Sequence, residues 1–409
     1  MISLDLVHTL AFSGVVLFAG YRIRRAVPPL ARYNIPAPVV GGLLVAAAIA
    51  LARSRGATLL QFDTTLQSPL MIAFFASIGF GASLSLLRVG GPAVVLFLAA
   101  STVVAVAQNL LGAAVALALG RPALMGVLAG SVTLTGGPAT GLAFAPLFEQ
   151  AGVTGAATLA VAAAMVGIVS GGLLGGPIGT FLVERHRLRT AMEPRGAAPT
   201  TAATDLVEER LPEPKAATPA GEDVSSYALL KAVVALLVAL WAGSWISRGF
   251  VALDITLPAY IGAMLAAAAL RNLDDLTGGL GLSQRLIDDL GNAALSLFLV
   301  LALMTLRLWE LAGLALPLAV LLAAQVALVA AVCPPMFRLM GRDYDAAVMS
   351  SGFCGFMLGT TANAMANMGA LVERYGPAPR AFLVVPMVGA FFIDFTNALI
   401  VTAFLNLWR

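Results

Sequence analysis

Apolar runs long enough to cross a bilayer follow one another almost from end to end of this 409-residue chain. They lie at about residues 4–21, 36–53, 66–87, 92–119 and 155–183, then at about 226–247, 256–270, 290–309, 311–337 and 378–407. A helix needs roughly 20 apolar residues to span the hydrocarbon core, so the pattern predicts an all-α polytopic membrane protein. Composition agrees: 60% of residues are apolar and 11% charged, against roughly 25% charged in soluble domains. Asp5 precedes the first apolar run and no basic stretch does, which fits a first spanning helix better than a cleaved leader.

Two stretches, 122–150 and 344–376, depart from this pattern. The first contains GSVTLTGGPATGLAFAPLF (Gly130 to Phe148), broken at Gly136-Gly137-Pro138; the second contains SSGFCGFMLGTTANAMANMGALVE (Ser350 to Glu373), broken around Gly359-Thr360-Thr361. Irregular backbone at membrane depth survives only where protein or a water-filled cavity satisfies its N–H and C=O groups. Two such breaks at corresponding places point to a solute site in a secondary transporter.

Charge orients the chain. Arg22, Arg24, Arg25 and Arg32 follow the first span, and Arg185, Arg187 and Arg189 follow the fifth. Both clusters belong in the cytoplasm by the positive-inside rule. A single crossing by 122–150 would separate them, and two full crossings need more residues than it has. It is therefore expected to be a re-entrant hairpin entering from outside. Segment 344–376, flanked by Arg338, Arg342, Arg374 and Arg380, is expected to enter from the cytoplasm. Both termini then fall outside, and the polar stretch 184–225 becomes a flexible cytoplasmic linker.

A repeat emerges. IPAPVVG (Ile35 to Gly41) answers LPAYIG (Leu257 to Gly262), Leu119-Gly120-Arg121 answers Met340-Gly341-Arg342, and LFEQAG (Leu147 to Gly152) answers LVERYG (Leu371 to Gly376). Residues 1–183 and 226–409 thus form two repeats of five transmembrane helices, each with its hairpin between the fourth and fifth. Five is odd, so the copies are inverted.

Ser131, Thr133, Thr135 and Thr140 supply hydroxyls in the first hairpin, and Gly136, Gly137 and Gly141 free the backbone to bend. Half-helix N-termini at such a break offer N–H donors to a carboxylate, while unwound carbonyls and hydroxyls offer hard oxygens to sodium. Alternatively, the hydroxyls bond back to their own helix. In the second hairpin Thr360, Thr361, Asn363 and Asn367 have the same two readings, as ligands or as interhelical hydrogen bonds. Asn363 and Asn367 share a face if the returning arm is helical. Asp394 is the acidic residue placed deep in a span, which marks it as functional by default. It suits a sodium site with hairpin carbonyls and hydroxyls, a substrate amine, a proton, or a structural cap; Asn397 lies one turn away. Gln108, Asn109 and Gln325 sit mid-span and read as packing hydrogen bonds. Gly167, Gly171, Gly175 and Gly179 align on one helix face as a close-packing device.

Nothing supports an enzyme. Cys333 and Cys354 form no ligand-spaced cluster, and His8 and His186 lack partners at useful spacing. Asp274-Asp275 and Asp288-Asp289 resemble paired-aspartate metal sites but read as solvated loop charges. There is no phosphate-binding glycine loop and no basic–aromatic face for nucleic acid.

The residues resemble the bacterial glutamate:sodium symporters. The resemblance rests on YNIPAPVVGGLL (Tyr33 to Leu44), PLMIAFF (Pro69 to Phe75), LAGSVTLTGG (Leu128 to Gly137), NAALSLFL (Asn292 to Leu299) and LWELA (Leu308 to Ala312). Strongest is AFLVVPMVGAFFID (Ala381 to Asp394), followed by Asn397-Ala398-Leu399. It covers nearly the whole chain outside the linker. It implies uptake of L-glutamate with Na+ as coupling ion and no other cofactor, across a bacterial inner membrane, by a homodimer using an elevator motion. A sodium-coupled carrier of another dicarboxylate or hydroxycarboxylate is the alternative. The chain departs from the family at Pro138 and Ala139, within its usual Gly-Gly-x-Gly-Thr-Gly, and at Ala362 and Asn363, where Pro-Thr is common. These changes fall at the hairpin tips, where they bear on substrate rather than fold. No Lys or Arg is placed deep in a span, so substrate carboxylates must rely on helix ends, hydroxyls, amides and sodium; Arg121 and Arg342 border the hairpins.

Overall fold

Long apolar segments must close their own backbone hydrogen bonds in a bilayer, and these segments do so as helices. The computed structural model describes residues 2–56, 60–188, 224–252, 258–311 and 313–408. In order the helices are α1 Leu6–Ala26, α2 Pro28–Arg32, α3 Ala37–Ser54, α4 Gln67–Phe80, α5 Leu84–Ala118, α6 Ala123–Val127, α7 Gly137–Gln150 and α8 Ala156–Arg185. There follow α9 Val224–Ala252, α10 Ala259–Thr277, α11 Gln284–Met304, α12 Ala315–Leu339, α13 Tyr344–Leu358, α14 Thr361–Tyr375, α15 Pro379–Met387 and α16 Ile393–Leu407. Among the described residues, seven helices are long and apolar enough to cross a membrane: α1, α3, α5 from Gly91, α8, α9 from Ser226, α11 and α12. The protein is an all-α, multi-pass membrane protein. Of the expected linker 184–225, residues 189–223 lie outside the described residues.

Several expected spans differ in detail, each for a local reason. The run at 66–87 stops at Gly81, leaving the 14-residue α4. In α5, Gly91 leaves helical geometry at φ +63°, a conformation glycine adopts freely, immediately before Pro92. The run at 378–407 is interrupted by a π turn, Val388–Phe392, following Pro386. Two three-residue strands, β1 Ile2–Leu4 and β2 Leu60–Phe62, pair in parallel beside the helices. The Thr9 hydroxyl secures them by donating to the Leu4 carbonyl and accepting from the Asp63 N–H.

The chain forms two compact units that each draw on both of its halves. In the first, α1 packs on α3 and α9 on α10, while α3 packs on α11 and α10 on α4; α4 and α11 also meet. Phe80, Ala239, Ala267 and Ile287, all fully buried, join α4, α9, α10 and α11 in one apolar cluster. The second unit contains α5 beyond Ser85, α6 to α8 and α12 to α16. Here α13 packs on α8, α12, α14 and α15, and α7 packs on α8.

Asp274 and Asp275, expected as solvated loop charges, are structural. Asp274, at 6% exposure on α10, accepts from the Leu280, Gly281 and Leu282 amides at 2.8, 2.9 and 3.0 Å. Asp275 pairs with Arg271 at 3.0 Å and accepts from the Ser83 hydroxyl. Asp288 and Asp289 lie on α11. Replacing Asp274 by alanine leaves three loop amides without their carboxylate. It should cost about 3 kcal/mol and lower the thermal midpoint in detergent, whereas Asp289→Ala, at an exposed position, should shift it little.

Candidate functional site

The second unit contains three interrupted helices, each broken where its sequence removes helical restraint. The first is α6, a π turn over Leu128–Val132, and α7. Gly130 departs from helical geometry there (φ −98°, ψ −132°), and the Gly136 N–H reaches back five residues to the Ser131 carbonyl at 3.0 Å. Gly137 then takes φ +68°, which a side chain would resist. Pro138 stands in the first turn of α7 without loss, because a first-turn N–H has no partner within the helix.

The second break separates α13 from α14. Gly359 leaves helical geometry (φ −153°, ψ −101°), Thr360 is extended (φ −147°, ψ 166°), and the Thr360 hydroxyl caps α14 by accepting from the Asn363 N–H at 3.4 Å. The third is the π turn between α15 and α16, a distortion that recurs at functional sites.

The first two breaks face each other. A Cβ built on Gly137 would lie 3.6 Å from Thr360 Cγ2 and 3.8 Å from the Gly359 carbonyl oxygen. The third joins both: Asn397 Nδ2 on α16 donates to the Ser131 carbonyl at 3.0 Å, and the Thr361 hydroxyl donates to the Gly389 carbonyl at 2.9 Å.

The expected site residues divide by what their polar atoms do. Thr133 bonds back to the Leu128 carbonyl at 2.8 Å, as a helix-satisfying hydroxyl does. Thr135 donates to Gln108 Oε1 at 2.8 Å. Thr140 is buried on α7, and Gly136 is half-buried at the break. Asn363 and Asn367 share one face of α14, and their Nδ2 atoms donate to the Ile168 and Gly171 carbonyls of α8 at 2.7 and 3.0 Å. Asn363, one of the departures from the family pattern, thus binds the neighbouring helix, while Ala362 is exposed. Asp394 is half-buried one turn before Asn397, and among the described residues its carboxylate has no hydrogen-bond or ion-pair partner.

Two amides expected to make packing hydrogen bonds do so beside the breaks. Asn109 Oδ1 accepts from the Ser131 N–H at 2.9 Å, beside the distorted Gly130. The Gln108 side chain joins Thr135 to the Met357 carbonyl, where Nε2 donates at 2.9 Å. Mid-span amides were the signal in the sequence, but partners 249 positions away cannot be read from spacing.

Among the described residues, Ser131 Oγ, Asn397 Oδ1 and Asn363 Oδ1 are buried without hydrogen-bond partners, on residues with no exposed surface. Leaving such groups empty costs about 1–3 kcal/mol each, and a bound ion or water is the usual remedy. Chemically, the arrangement offers neutral oxygens to a hard cation, and the α7 and α14 N-termini offer N–H groups to an anion.

The chain matches the "Sodium/glutamate symporter" family model over residues 2–377. It is 40% identical to a sodium/glutamate symporter of Escherichia coli (strain K12) over 409 residues, covering 100% of this chain and 99% of that one. It is also 40% identical to a sodium/glutamate symporter of Haemophilus influenzae over 393 residues, covering 96% and 95%. Among solved structures, a sodium proton antiporter from Methanocaldococcus jannaschii aligns over 99% of this chain and 98% of its own. Identity there is 13% and the TM-score 0.43, too low to carry an argument. The near-complete coverage in sequence is decisive: this chain belongs to the sodium/glutamate symporter family.

Proposed function

We propose that the protein is a secondary transporter that takes up L-glutamate with sodium across a bacterial inner membrane. The family is one of transporters, not enzymes. The observation that carries the reading is the pair of unpartnered oxygens, Ser131 Oγ and Asn397 Oδ1, on the two residues joined at the first break. Sodium takes oxygen ligands from unwound segments of this kind. In this reading Ser131, Asn397 and the Asp394 carboxylate one turn away hold the ion. The Gly136-Gly137 and Thr360-Thr361 breaks, with Thr140 and Asn363, receive the substrate, and Thr135 Oγ1 lies on the cation's side. Thr133 and Asn367 hold the arms in shape.

The architecture we infer is two inverted repeats, 1–183 and 226–409, with re-entrant hairpins at about 122–150 and 344–376. Helix pairing supports it: exchanging α1, α3 and α4 with α9, α10 and α11 turns the α1–α3 pair into α9–α10 and the α3–α11 pair into α10–α4, and leaves α4–α11 unchanged. Charge supports periplasmic termini and a cytoplasmic 184–225 linker. A homodimer working by an elevator motion follows the family resemblance.

The test is uptake of radiolabelled L-glutamate into proteoliposomes, with an inward sodium gradient against potassium. Accumulation that requires sodium and resists excess succinate or citrate is the expected result. Strong competition by those anions would favour the alternative, a sodium-coupled carrier of amine-free dicarboxylates or hydroxycarboxylates.

A further inference from the structure

Gln108 is buried with no exposed surface on α5 and holds groups next to both breaks. Thr135 immediately precedes Gly136, and Met357 stands two residues before Gly359. The Met357 carbonyl can only accept, so the amide nitrogen of Gln108 must face it, at 2.9 Å. That leaves Oε1 toward Thr135, whose hydroxyl must donate, at 2.8 Å. The orientation is thus fixed by chemistry, and among the described residues no donor occupies the remaining lone pairs of Thr135 Oγ1. The Gln108 carbonyl accepts from Gln325 Nε2 on α12 at 2.7 Å, which anchors the α5 backbone at this point.

We propose that Gln108 is a positioning residue that couples the two breaks, so that ligand occupancy at one alters affinity at the other. This rests on the symport reading above. A cation drawn to Thr135 Oγ1 makes that hydroxyl a stronger donor to Gln108 Oε1. The polarised amide in turn strengthens its N–H bond to Met357, the last turn before the second break. Both ends of the relay are buried, so neither bond is exchanged for water. Packing alone would need the volume of Gln108 but not this order of donors.

The measurement is the factor by which saturating sodium lowers the Kd of radiolabelled L-glutamate for detergent-purified, full-length protein. Wild type should show a factor within the range of about 5–150 usual for coupled sites. In Gln108→Leu, which has similar bulk but no amide, the factor should fall to about 1–2, with the sodium-free Kd changed less than about threefold. Thr135→Val cuts the relay at its other end, so it should lower the factor likewise and serves if Gln108→Leu does not fold. Retention of the wild-type factor in either folded variant, even with both affinities weakened in parallel, overturns the coupling role alone. A wild-type protein whose glutamate affinity ignores sodium overturns the symport reading together with it.

Discussion

Replacing Asn397 with alanine should raise the sodium concentration for half-maximal glutamate uptake by about tenfold or more. The substitution has two consequences at one place. It takes the donor from the Ser131 carbonyl, which Asn397 Nδ2 holds at 3.0 Å, and it removes Oδ1, which has no partner among the described residues. Loss of a bond to a buried carbonyl costs about 1–3 kcal/mol, and 1.4 kcal/mol of lost ion affinity is about a factor of ten. Uptake measured against sodium concentration separates the two. If the half-saturating concentration stays at the wild-type value while the thermal midpoint falls, Asn397 is a strut and not a sodium ligand. Asn397→Asp keeps Oδ1 and replaces the donor by a second oxygen, so it should retain sodium affinity better than alanine does.

The second large effect lies on α8. Gly167, Gly171, Gly175 and Gly179 are all buried against the two arms of the second break. A Cβ on Gly167 would run into the Leu358 carbonyl, and one on Gly175 into the Asn367 side-chain amide. Gly172 and Gly176, on the same helix, have nothing within 4 Å. Gly167→Ala and Gly175→Ala should therefore each cost about 1–3 kcal/mol or more through overpacking and abolish uptake. Gly172→Ala and Gly176→Ala should be neutral, or stabilising by up to about 1 kcal/mol through helix propensity. Detergent thermal stability of the four variants tests this. Equal behaviour across both pairs would remove the case for a specific glycine seam.

That seam was legible in the sequence because it depends on one helix's own spacing. So were the positions of the two breaks, since Gly136-Gly137 and Gly359-Thr360 interrupt apolar runs in plain view, and the long spans for the same reason. What could not be read was any relation between distant segments. The hydroxyls looked alike in sequence, yet Thr133 bonds five residues back, to Leu128, whereas Thr135 reaches Gln108 and Thr361 reaches Gly389. Gln108 and Asn109 read as packing amides, as they are, but their partners at the breaks could not be named. Asp274 looked solvated because the loop that folds over it has polar and glycine composition; its carboxylate is what organises that loop. The π turn at Val388–Phe392 was hidden inside an apolar run whose length suited an unbroken span.

The most direct measurement is entry of radiolabelled sodium into proteoliposomes driven only by an inward L-glutamate gradient. Coupling between two ligands is reciprocal in binding, so glutamate must draw sodium in if sodium draws glutamate. The account predicts sodium entry that rises with the glutamate gradient in wild type, is absent from protein-free vesicles, and is strongly reduced in Asn397→Ala. Glutamate entry unaccompanied by sodium would contradict it.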